Sequence, residues 1–60
     1  MNKAETLEEF HRLWNALVAN GHCRADDVIA KRELWGNVTD RFCKDGLITL
    51  RQYETWVNPF

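Results

Sequence analysis

Along the stretch TLEEFHRLWNALVANG, apolar side chains recur at three- and four-residue steps: Leu7, Phe10, Leu13, Trp14, Leu17 and Val18. That spacing draws one stripe along a helix, and the stripe is the face a helix buries. Thr6 and Glu9 stand in the T-x-x-E spacing of a capping box, in which each side chain satisfies a backbone N–H of the first turn. A first helix is therefore expected over about residues 6–20, with Gly21 ending it in the left-handed conformation that follows many helix C-termini.

A second stripe carries Val28, Ile29, Trp35, Val38, Phe42 and Cys43, and predicts a helix over about residues 25–45. Gly36 is its weak point, since glycine costs about 1 kcal/mol relative to alanine inside a helix, and a kink or break there is the alternative to a continuous helix. The stripe keeps its phase across Gly36, which favours continuity. Gly46 ends this segment, Thr49 and Gln52 form another capping box, and Ile48 and Tyr53 occupy the positions of a hydrophobic staple. A third helix follows over about residues 49–57 with Tyr53, Trp56 and Val57 on neighbouring turns, stopped by Pro59, which holds Asn58 out of the helical region.

The pattern also echoes itself at an offset of 25 residues: Phe10, Leu17, Val18, Gly21 and Cys23 fall on Trp35, Phe42, Cys43, Gly46 and Ile48. Two linked helical hairpins sharing a middle helix make an all-α, three-helix antiparallel bundle, one domain over residues 1–60. A chain of 60 residues has a thin core. Trp14, Trp35 and Trp56 are accordingly read as core residues first.

Composition narrows the function. Eight Lys and Arg against nine Asp and Glu give a net charge of −1, so no global field draws the chain to nucleic acid or to an acidic membrane. The longest wholly apolar run, ALVA, is far too short to span a bilayer, and the start MNKAETLEEF has no signal pattern, so a cytoplasmic protein is expected. Cys23 and Cys43 fall on the apolar slots of Ile48 and Val18 in the echo and read as small buried hydrophobes with free thiols, a single bridge being the alternative. His11, His22, Cys23 and Cys43 include the ligand types of zinc but not the close pairs of a structural site. No nucleophile stands beside a base, and Glu8, Glu9, Asp26 and Asp27 fit the acidic preference of a first helical turn, so neither enzyme nor cofactor is expected.

Helix, glycine turn, helix is also the outline of a helix-turn-helix. In that reading TLRQYETW faces the groove, with Arg41, Lys44, Arg51 and Gln52 as contacts, but its face carries one positive charge beside Glu54 and offers little phosphate attraction. Residues 35–56, WGNVTDRFCKDGLITLRQYETW, resemble the short C-terminal helical hairpin family called SHOCT through Gly46, Leu47, Ile48, Thr49 and Tyr53. The resemblance implies a non-enzymatic module that mediates oligomerisation or protein contacts.

The favoured expectation is a protein-binding regulator, adaptor or inhibitor, of a size that suits a phage or plasmid gene. It rests on aromatic excess near the C-terminus, where Tyr53, Trp56, Val57 and Phe60 gather in eight residues. Phe60, beyond Pro59, is the strongest interface candidate. Self-association is the nearest variant, with Trp35 at the middle of the long helix as its interface residue.

Overall fold

The computed structural model describes residues 1–60 and contains three helices and no strand: α1 (Lys3–Ala19), α2 (Val28–Lys44) and α3 (Leu50–Thr55). The all-α bundle expected from the pattern is present, with α1 packed on α2 and α2 on α3. Three of the expected boundaries shift, and each shift has a local cause.

Helix α1 begins before Thr6, because Asn2 and Glu5 form the capping box in place of Thr6 and Glu9. Asn2 Oδ1 accepts from the Glu5 amide at 2.8 Å, and Glu5 Oε1 accepts from the Asn2 amide at 3.0 Å. Thr6, thereby moved inside the helix, is fully buried and donates its hydroxyl to the Asn2 carbonyl at 2.9 Å. A buried hydroxyl needs such a partner.

Helix α2 begins at Val28, later than expected, because the two aspartates before it do different work. Asp26 is held by the Arg24 guanidinium at 3.3 Å, while Asp27 accepts the Ala30 amide at 3.0 Å and becomes the N-cap. The helix then runs without interruption through Gly36. Helix α3 starts on Thr49 and Gln52 as the pattern predicts, but stops at Thr55, two residues early. Trp56 is already extended, with φ −71° and ψ 122°.

The early stop serves the core. Phe10, Trp14, Trp35 and Val38 form the buried cluster between α1 and α2, and the extended tail brings Trp56 and Phe60 back against it. The Phe60 ring stacks on Phe10 with centroids 4.8 Å apart, and Trp35 meets both rings edge-on. Lys31 Nζ lies 4.6 Å from the Phe60 centroid, within cation–π range. Only seven of the 60 residues are buried, so this aromatic cluster is a large share of what holds the bundle together.

Both helix ends that face a turn close in the same way. His22 donates to the Leu17 carbonyl and Gly21 to that of Val18; 25 residues on, Leu47 donates to Phe42 and Gly46 to Cys43. This is the Schellman pattern, and Gly21 and Gly46 each take φ +76°, where a Cβ would be strained. The echo ends there. Thr49 caps α3 three residues after its glycine, whereas the matching position in the first turn is Arg24, which cannot accept the amide bonds of a helix start, and the chain runs on to Asp27.

A candidate docking face around the third helix

Helix α3 contributes no buried residue. Its capping box fixes which way it faces: Gln52 lies half-buried on the inner side, its Oε1 accepting the Thr49 amide at 2.8 Å and its Nε2 donating to the Met1 carbonyl at 3.0 Å. Trp56, one turn on, follows it inward. With that side turned in, Leu50 and Tyr53, neighbours at i and i+3, flank or oppose it and remain exposed. Leu47 in the turn and Val57 in the tail are exposed as well, Val57 by 76%.

Four apolar side chains within residues 47–57 thus stand in water. Single exposed apolar residues are ordinary on protein surfaces; a group of them around a well-tied element is less so. The element is well tied, since the Met1 amino group donates to the Leu47 carbonyl at 2.7 Å and the tail carboxamide of Asn58 donates to the Arg32 carbonyl at 3.4 Å. Nearby charge is balanced by Arg51 and Glu54.

Of the interface residues expected from the sequence, Tyr53 and Val57 are among these exposed side chains. Trp56 is half-buried against the core. Phe60 is drawn inward onto Phe10, so its place beyond Pro59 does not leave it free. Trp35 is buried at 4% exposure, and the middle of α2 shows solvent its opposite side. The aromatic signal passes over Leu47 and Leu50, although another signal exists: Thr49 as N-cap puts Leu50 at the first helical position, out of phase with Gln52 and Trp56.

The residues that a helix-turn-helix would use are largely engaged within the chain. Arg41 pairs with Asp45 at 3.1 Å and Lys44 with Asp40 at 2.9 Å, each one helical turn apart. The hydrogen bond to Asp40, reinforced by its charge, raises the Lys44 pKa above the ordinary lysine value. Gln52 is committed to its cap, and only Arg51 of the four stands exposed without an ion pair.

The molecule has no pocket, and no three His, Cys, Asp or Glu side chains converge. Cys23 and Cys43 carry free thiols and are each half-buried. No helix is long and apolar enough to cross a membrane. The chain matches no protein-family model, no curated protein and no solved structure, so its chemistry rests on its own residues.

Proposed function

We propose that the protein is a non-enzymatic binding module, a small regulator, adaptor or inhibitor, that docks an apolar segment of a partner protein against Leu47, Leu50, Tyr53 and Val57. The exposure of these four side chains around a capped and tethered helix carries the reading. Apolar and aromatic anchors on a preorganised element are the surface that a protein interface uses, because little ordering entropy is lost on binding. The balance of Arg51 against Glu54 favours a protein over a polyanion. A cytoplasmic setting suits the two free thiols.

The test is capture from nuclease-treated lysate by immobilised wild type, Leu50→Asp, Val57→Asp and Arg51→Ala. The expected result is a stoichiometric protein that wild type and Arg51→Ala retain and that both aspartate variants lose by about tenfold, with helical circular dichroism unchanged. Capture that ignores the aspartate variants, or that disappears with nuclease and Arg51→Ala, overturns the reading.

A further inference from the structure

The ring of Phe60 occupies a receptor built by other elements. It stacks on Phe10 with centroids 4.8 Å apart, Trp35 and His11 meet it at steep angles with centroids 6.2 Å and 6.0 Å away, and Lys31 Nζ lies 4.6 Å from its centroid. All four of these groups belong to α1 or α2, so the hairpin makes the receptor and Phe60 is its occupant. An ammonium over a ring face, with further rings around it, is satisfied by an aromatic side chain and not by an aliphatic one.

What shapes the occupant is local to it. Asn58 Oδ1 accepts the Phe60 amide at 3.0 Å, which folds residues 58–60 into a hook that carries its own geometry. Between hook and hairpin stand the ring contacts and one long hydrogen bond, from Asn58 Nδ2 to the Arg32 carbonyl at 3.4 Å. No backbone hydrogen bond joins residues 57–60 to α1 or α2, Val57 before the hook is largely in water, and Phe60 itself is half-buried. Contacts of this kind can be made equally well by a segment of another chain once the tail swings away, and so lightly held a tail belongs to the low-stability end of a fold.

We propose that the groove between α1 and α2 is a peptide-binding site for a phenylalanine carried two residues after an asparagine in a partner protein, and that residues 57–60 fill it as an autoinhibitory pseudo-ligand. The partner's ring goes against Phe10 and Trp35 beside the Lys31 ammonium, and its asparagine carboxamide turns the segment and reaches the Arg32 carbonyl. The tethered tail competes at an effective concentration on the order of millimolar, so the partner displaces it only with contacts beyond the hook. This site uses none of Leu47, Leu50, Tyr53 or Val57, and either proposal can fail without the other.

The probe is a synthetic peptide with the sequence of residues 54–60, acetylated and amidated, titrated to about 5 mM into full-length wild type and Phe60→Ala while NMR signals are followed. Phe60→Ala is expected to bind it saturably with a Kd of about 1 mM and to shift the Trp35 indole signal. Wild type is expected to bind about fivefold more weakly, its own Val57 and Asn58 signals moving toward those of a released tail. A peptide carrying Phe60→Leu is expected to lose about tenfold, and one carrying Asn58→Ala about threefold. Equal affinity for the Phe60→Leu peptide, equal binding by the two proteins, or no binding by a Phe60→Ala that keeps its helical circular dichroism overturns the proposal. If Phe60→Ala does not fold, wild type carries the test, and a tail that stays in place at about 5 mM peptide overturns it. Dimerisation of wild type that Phe60→Ala abolishes also overturns it, by assigning the groove to the tail of a second copy.

Discussion

Gly36 illustrates how a single residue can be judged against its surroundings. It is exposed, its helix continues through it, and the space beyond its Cα is open. Gly36→Ala is expected to stabilise the fold by about 1 kcal/mol, because alanine has less backbone entropy to lose in a helix. In a domain this small that raises the melting temperature by about 4–8 °C, measurable by circular dichroism at micromolar protein. Unchanged or lower stability would mean that the helix is bent or frayed at that point. Thr6 makes the complementary case: its spacing to Glu9 predicts a cap, and Asn2, equally suited and one turn earlier, takes the role and moves Thr6 into the interior. Two overlapping capping boxes are indistinguishable by residue type alone.

At the scale of the element, α2 organises its own surface charge. Lys44 pairs with Asp40 and Arg41 with Asp45 at i, i+4 spacing, and both cations fall in the last turn, where the helix dipole favours positive charge. The Lys44 pKa is raised in the folded chain, first by the hydrogen bond to Asp40 and then by its charge. A lysine whose folded pKa exceeds its unfolded value stabilises the fold in full below about pH 10.4, and this stabilisation is lost as pH rises through the folded value. Melting temperatures measured between about pH 9 and pH 12 should therefore fall more for wild type than for Asp40→Asn, with the difference reduced by salt because the pair is exposed. Equal slopes for the two proteins would show that the pair does not persist in solution.

On the scale of the whole molecule, the tail decides how the bundle closes. The α1–α2 hairpin leaves Phe10 and Trp35 needing cover, and Phe60 supplies it by stacking on one ring and meeting the other edge-on. Phe60→Ala is expected to cost about 2 kcal/mol, below the roughly 3–5 kcal/mol of a fully buried aromatic because this one is half-buried. The melting temperature should drop by about 10 °C, while Val57→Ala, largely in water, should leave it nearly unchanged. A tail that contributed nothing would make the two variants alike.

Periodicity, glycine placement and capping residues are enough to read three helices, both glycine turns and the cap of α3, and to favour continuity through Gly36 without deciding it, because each depends on contacts within a few residues along the chain. Trp14 and Trp35 are equally legible as core, since they lie on the stripes. The choice between Asn2 and Thr6, the division of labour between Asp26 and Asp27, and the early end of α3 depend on burial and on partners elsewhere. The candidate site is half legible: aromatic and apolar excess points to Tyr53 and Val57, but not to Leu47 and Leu50. Phe60 reads as outward-facing because residues after a proline at a chain end usually lie in solvent, and tertiary structure reverses that assignment. An aromatic ring gains more from an uncovered aromatic cluster than from water, and whether such a cluster lies within reach is set by how α1 and α2 come together.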